Sequence, residues 1–155
     1  MSVNSVDLPA GDYSTQIAVI GTDNSGNQVQ GSPQMIQVTL TVLPGCSFQA
    51  SPATLTFTAR YSRPNPPAQY IKLTTTGSCP QSVSWAATVN SGGKSWLILP
   101  TTSGTTSNQG SSILVKVRSR PLLPGNYSGQ IVISSSGSAI VKSPVSVPVT
   151  LTVTF

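Results

Sequence analysis

The sequence predicts an all-β protein built as an antiparallel β-sandwich of about seven strands, with part of the module repeated in tandem. Three observations predict this fold. Apolar residues alternate with polar ones over short segments, clusters of Pro, Gly, Asn and Ser separate these segments, and no segment has the apolar period of a helix. Alternation rich in Val and Ile is typical of strands that are buried on one face.

The individual strands can be placed along the chain. The longest alternation puts apolar residues at every second position from Val145 to Phe155, and Tyr127, Ile131 and Ile133 share one face of the strand before it. Shorter strands are predicted at 55–59, 69–75, 83–89, 96–99 and 113–118, with turn-forming clusters at 62–67, 90–94 and 101–110.

An internal repeat sets the domain boundaries. Residues 8–20 match residues 122–134 around a shared Gly-x-Tyr-Ser, and residues 32–42 match 143–153 around a shared Val-Thr-Leu-Thr-Val. Repeats spaced this far apart are whole domains in tandem. We therefore expect residues 1–44 to be the C-terminal strands of a preceding module and residues 45–155 to be a complete module.

The half-module at residues 1–44 has an apolar face that needs cover. A lone hairpin is marginally stable in water, and burying each large apolar side chain stabilises by about 1.5–3 kcal/mol. We expect the complete module or the same hairpin of a second chain to cover this face. A homodimer about a twofold axis, through residues 1–44, is favoured. The apolar residues of the face are Ile17, Val19, Ile36, Val38, Leu40 and Val42.

The distribution of charge argues against catalysis. The chain has 8 Lys and Arg, 3 Asp and Glu and no His, and its acids are Asp7, Asp12 and Asp23. General acid–base pairs, Ser-His-Asp triads, glycosidase carboxylate pairs and His-based zinc sites need side chains that the rest of the chain does not have. The spacing of the three acids also matches no calcium loop. We therefore expect no enzyme activity, no catalytic residues, no cofactor and no metal site.

The complete module also carries an ordered series of motifs, which resembles the BACON family of bacterial immunoglobulin-like modules. The motifs are Leu-Thr-Phe-Thr-Ala at 55–59, Ser-Trp-Ala at 84–86, a Trp-Leu segment ending in Ser-Gly at 96–104, Gly-Asn-Tyr-Ser-Gly at 125–129 and Val-Pro-Val-Thr-Leu-Thr-Val at 147–153. The resemblance covers residues 46–155, and residues 1–44 as the end of a second copy.

This resemblance implies an immunoglobulin-like sandwich in a larger bacterial protein that is secreted or attached to the cell surface, with signal and anchor outside residues 1–155. It implies a non-catalytic spacer or adhesion module whose partners are neighbouring immunoglobulin-like modules. The alternative is a carbohydrate-binding module that uses exposed aromatic residues, with a polysaccharide or cell-envelope polymer as partner.

The two cysteines depart from the family pattern. Cys46 stands at the mouth of the first strand, and Cys79 follows the strand at 69–75. In a chain of secreted composition we expect them to be bonded, which would stabilise the fold by about 3 kcal/mol. Two separate buried thiols are the alternative. A zinc site lacks further ligands.

Residues for ligand contact are predicted from exposed aromatic rings and basic side chains. Tyr61 and Tyr70 bracket a Pro-rich loop with Arg63, and Trp96 is the fourth candidate, although its alternation also suits the core. A basic strand near residues 116–120 is interpreted as a solvated face. We expect no nucleic-acid partner, because reader motifs and interleaved aromatics are missing, and no membrane span, because no long apolar run occurs.

Overall fold

The computed structural model describes residues 8–135, 140–142 and 144–155. The chain divides into two compact units between Pro44 and Gly45. The first contains β1 (Gly11–Val19) and β2 (Gln34–Val42), which pair as an antiparallel hairpin. We call this pair the N-terminal hairpin and the second unit, Gly45–Phe155, the C-terminal sandwich.

The strands of the C-terminal sandwich are short and joined by turns. None of the residues described forms a helix long and apolar enough to cross a membrane. The strands are β3 (Cys46–Ser51), β4 (Leu55–Arg60), β5 (Gln69–Thr76), β6 (Val83–Asn90), β7 (Leu97–Ile98), β8 (Ser103–Thr106), β9 (Ser111–Val117), β10 (Gly125–Ser135), β11 (Ile140–Lys142) and β12 (Val145–Thr154).

Two five-stranded sheets form the sandwich, in the orders β4-β12-β10-β6-β8 and β11-β3-β5-β9-β7. This confirms the predicted all-β sandwich. The strand pairs of the sandwich are antiparallel, as predicted, except that β4 is parallel to β12 and β3 is parallel to β11. The exception arises because the chain crosses from one sheet to the other between β3 and β4, at Pro52, whose nitrogen has no hydrogen to donate to a ladder.

The composition of residues 101–110 predicts a turn, and this prediction is wrong for the centre of the segment. Ser103–Thr106 forms β8, an edge strand that pairs with β6. A Cβ atom on Gly104 would lie 2.9 Å from the indole ring of Trp85. The glycine therefore lets the backbone of β8 pass close to this ring, a long-range contact that no alternation reveals.

Inward-facing residues of both sheets make one apolar core. Alternate positions of β4, β5, β6, β9, β10 and β12 point into it, as the period-two pattern predicts. Its largest fully buried side chains are Trp96, Phe57, Leu55, Ile71, Leu73, Ile113, Ile131, Ile133, Leu151, Val115, Val147 and Val149.

The repeat seen in the sequence is also a repeat in the structure. We call the pair β10 and β12 the C-terminal hairpin. Tyr13 pairs with Leu40 in the N-terminal hairpin, and the equivalent Tyr127 pairs with Leu151 in the C-terminal hairpin. The two hairpins therefore have the same register over their whole length.

Each hairpin also has the same tyrosine corner. The Tyr13 hydroxyl donates to the Pro9 carbonyl at 2.8 Å, and the Tyr127 hydroxyl donates to the Leu123 carbonyl at 2.8 Å. A tyrosine that bonds back to the backbone a few residues upstream is a hallmark of immunoglobulin-like sandwiches.

Candidate functional site

A disulfide bond joins the beginning of β3 to the turn after β5. The Sγ atoms of Cys46 and Cys79 are 2.11 Å apart and their Cα atoms 4.7 Å apart, at a sequence separation of 33 residues. Cys46 is buried, and Cys79 packs against the core. Both cysteines of the chain are used in this bond, so neither is a free thiol or a zinc ligand.

Both tryptophans belong to the core. Trp85 lies on the inward face of β6, and Trp96 is only 1 % exposed. The Trp96 ring packs against Tyr127, with 6.4 Å between ring centroids. This burial contradicts the expectation that Trp96 stacks on a ligand, because neither face of its indole is open to a sugar ring.

The other three predicted ligand residues are accessible. Tyr61 is 41 % exposed, Tyr70 is 61 % exposed, and Arg63 is exposed as well. Tyr61 directly follows β4, whereas Tyr70 lies on β5 of the other sheet. The clefts described below are lined by other residues, and a role for these three in ligand binding stays a prediction.

A cleft of about 420 Å³ lies where the turn after β6, the segment after β9 and the start of β10 come together. We call it the Lys94 cleft. It has two cations, one exposed apolar edge and an aromatic ring on its wall, with the buried Trp96 at its base. Its lining residues are Lys94, Ser95, Trp96, Arg118, Pro121, Leu122, Leu123 and Tyr127.

Several contacts hold the side chains and backbone of the Lys94 cleft in place. The Lys94 ammonium lies 5.0 Å from the centroid of the Tyr127 ring, within the range of a cation–π interaction. The tyrosine corner fixes that ring, and the backbone N–H of Arg118 donates to the Trp96 carbonyl at 2.7 Å. No acidic side chain exists after Asp23 to neutralise the two cations. The cleft is therefore suited to an anionic group.

Sequence reasoning missed this cleft. It places Tyr127 on the apolar face of a strand and Arg118 on a solvated basic strand, and it does not bring either of them to Lys94. The sequence does indicate the turn at Gly92 and Gly93, which directly precedes Lys94, and both glycines adopt positive φ. The contacts themselves join distant segments, so local pattern could not find them.

A second cleft, of about 500 Å³, lies beside the disulfide. None of its lining residues is charged or aromatic, so it has no surface on which a sugar ring would stack. These residues are Thr75, Gly77, Cys79, Pro80, Gln81, Ser107, Asn108 and Gln109.

The carboxylates serve turns and strand pairs. Asp12 accepts a hydrogen bond from the Thr41 hydroxyl at 2.7 Å. Backbone amides of Asn27 and Ser25 donate to Asp23 and hold its pKa below the usual value. Asp7 lies outside the described residues, and within the described ones no group of three His, Cys, Asp or Glu is placed to hold a metal ion.

No protein-family profile matches the chain, and no curated protein matches it either. Solved structures do share its fold. The CsuC–CsuE chaperone–tip adhesion subunit pre-assembly complex from archaic Csu pili of Acinetobacter baumannii matches with a TM-score of 0.50 and 13 % identity. The match covers 68 % of this chain and 56 % of that chain.

The PapD-like domain 7 of human CEP192 matches equally well. Its TM-score is 0.50 at 12 % identity, and the match covers 74 % of this chain and 89 % of that chain. The predicted immunoglobulin-like sandwich is thereby confirmed as the fold. At such identities the similarity concerns the fold alone, and the resemblance to the BACON family stays a prediction.

Proposed function

We propose that the chain is a non-catalytic, extracellular part of a larger secreted or cell-surface protein, in which successive immunoglobulin-like modules act as spacers or adhesion domains. One observation carries this proposal. The same hairpin, with the same register and the same tyrosine corner, occurs twice in the chain. Between β2 and β3 lies only the short joint of Leu43, Pro44 and Gly45, as in a tandem array.

Two further features support an extracellular array. Disulfide bonds such as Cys46–Cys79 persist in oxidising compartments and are rare in the cytosol. One of the solved structures of the same fold comes from a pilus assembly complex. The absence of His, Asp and Glu after Asp23 agrees with a non-catalytic role.

A binding and hydrolysis screen tests the proposal. The full chain is titrated with neutral polysaccharides, acidic polysaccharides and purified cell-envelope polymers, and its intrinsic fluorescence and the release of reducing ends are followed. Saturable binding to an envelope polymer supports adhesion. A folded chain that binds nothing supports the spacer role. Hydrolysis of any polymer by the purified chain would contradict the proposal.

The alternative, a carbohydrate-binding module, is favoured by the Lys94 cleft. We propose an acidic polysaccharide, such as a polyuronate, as its ligand. The pyranose ring would lie beside the fixed Tyr127 ring, and its carboxylate would meet the cations of Lys94 and Arg118. A neutral sugar would use neither cation.

A pair of double variants of equal charge tests this alternative. We expect Lys94→Gln with Arg118→Gln to weaken polyuronate binding by about tenfold or more, as the loss of about 1.4 kcal/mol does. The control, Lys116→Gln with Arg120→Gln, removes two exposed cations that do not line the cleft. If both double variants weakened polyuronate binding equally, the binding would be non-specific attraction between charges, and the Lys94 cleft would not be the site.

A further inference from the structure

The C-terminal sandwich holds its two chain ends at opposite ends of the sheets. Val83, the first residue of β6, pairs with Thr106, whose hydroxyl donates to the Leu73 carbonyl of β5. Because β5 ends beside the start of β3, the starts of β3 and β6 share one end of the sandwich. Ser135 pairs with Trp85 at this same end.

The last strand runs away from that end. Val145, the first residue of β12, pairs with Ile133, close to Ser135. Thr154, the last residue of β12, therefore lies at the far end of the sandwich. A pull along the chain enters at Gly45 and leaves at Phe155, so it acts along the length of β12.

Strand β12 is held on both edges. It is parallel to β4 from Val149 to Thr154 and antiparallel to β10 from Val145 to Val153. The backbone N–H of Tyr61 adds a bond to the Thr154 carbonyl at 2.7 Å. Ladder bonds run across the strands, so a pull along β12 loads them together, whereas a pull across the strand opens them one after another.

The disulfide changes the path of such a pull. Strands β3, β4 and β5 all lie inside the covalent loop that Cys46 and Cys79 close. Tension that enters at Gly45 passes from Cys46 across the sulfur atoms to Cys79, and then to β6. Because the force does not pass through β4, this strand stays paired with the edge of β12 and is not pulled away from it, starting at the N-terminal end of β4.

We propose that the C-terminal sandwich is a force-bearing element, loaded in shear through β6, β10 and β12, with the disulfide keeping β3, β4 and β5 out of the load path. This inference rests on the proposed function, since modules in a surface array carry tension between their attachments. It adds mechanical resistance as the property for which the topology is suited.

Single-molecule pulling in two geometries tests the proposal on the same protein. In the first, handles are attached at residues 1 and 155. In the second, they are attached at residues 125 and 155, at one end of the C-terminal hairpin, where β10 and β12 open like a zipper. We expect a rupture force several-fold higher in the first geometry. Equal forces would overturn the proposal and would leave the array role, tested by the binding screen, untouched.

The released length tests the load path separately. Reduction, or the double variant Cys46→Ala with Cys79→Ala, is expected to free the segment between the cysteines, which lie 33 positions apart in the sequence. The contour length released from the sandwich should grow by about 110 Å, because an extended residue spans about 3.3–3.6 Å and the two Cα atoms are already 4.7 Å apart. An unchanged length would show that the tension does not cross the disulfide, and would overturn that path.

Discussion

The chain contains two hairpins with the same internal geometry and different surroundings. In the N-terminal hairpin the Thr41 hydroxyl donates to Asp12 at 2.7 Å. At the equivalent place in the C-terminal hairpin, the Thr152 hydroxyl donates to Asn126 at 3.0 Å. Together with the shared register and tyrosine corner, these bonds show that pairing within a hairpin is set by its own residues.

Burial separates the two copies. Val147 of the C-terminal hairpin is fully buried, whereas its counterpart Ile36 in the N-terminal hairpin is 51 % exposed. The C-terminal hairpin lies in a five-stranded sheet that faces a second sheet across one core, and the N-terminal hairpin forms a two-stranded sheet. Local sequence therefore determines the register of each hairpin, while the opposing sheet supplies most of the hydrophobic stabilisation.

Removing the disulfide should strongly destabilise the C-terminal sandwich and leave the N-terminal hairpin unchanged. We expect Cys46→Ala with Cys79→Ala to lower the unfolding free energy of the C-terminal sandwich by about 3–4 kcal/mol, from the entropy of a loop of 33 residues. Denaturant titration measures this loss. Hydrogen exchange in β1 and β2 should stay unchanged, because neither strand contains a cysteine. Faster exchange in β1 and β2 as well would show that the two hairpins unfold together.

Truncating one of two equivalent leucines should have an effect of similar size. Leu151 is 0 % exposed, and its counterpart Leu40 is half-buried. We expect Leu151→Ala to lower the unfolding free energy of the sandwich by about 2–5 kcal/mol, as deletions in a packed core do. The matched variant Leu40→Ala, in the N-terminal hairpin, should lower the unfolding free energy of the chain by much less. Denaturant titration of both variants measures the two losses. Similar losses of unfolding free energy would show that Leu40 is packed as closely as Leu151.

Sequence pattern predicted most of the fold but only part of the site. Alternation located β4, β5, β6, β9, β10 and β12, because each has an inward face of apolar residues. It missed β8, whose contribution is the close passage of Gly104 beside Trp85. It also missed the Lys94 cleft, because the approach of Lys94 to Tyr127 depends on how distant loops fold together. Single-residue patterns do not record such contacts.

A charge on the apolar face of the N-terminal hairpin should weaken association between two chains. We propose that a second copy of the hairpin covers this face, since the equivalent face of the C-terminal hairpin packs against apolar side chains. Ile36→Lys should then raise the dimer dissociation constant by about tenfold or more, equal to about 1.4 kcal/mol. Gln37→Lys, on the other face of β2, is the control of equal charge.

Sedimentation across a range of concentrations measures this association. The unmodified chain and Gln37→Lys should dimerise alike. A chain that remains monomeric at the highest concentration, or a dimer unaffected by Ile36→Lys, would rule out pairing through this face.

The tyrosine corners should give the smallest difference. Tyr127→Phe removes the hydrogen bond to the Leu123 carbonyl and keeps the ring, so we expect the sandwich to lose about 1 kcal/mol of unfolding free energy. Tyr13→Phe removes the equivalent bond to Pro9 and should leave the sandwich unchanged, while hydrogen exchange in β1 and β2 becomes faster. The effect of Tyr127→Phe stays small because water can satisfy the freed carbonyl at this edge. If Tyr13→Phe destabilised the sandwich as much as Tyr127→Phe, the two hairpins would have to unfold together. The N-terminal hairpin would then not unfold separately from the C-terminal sandwich, despite its greater exposure.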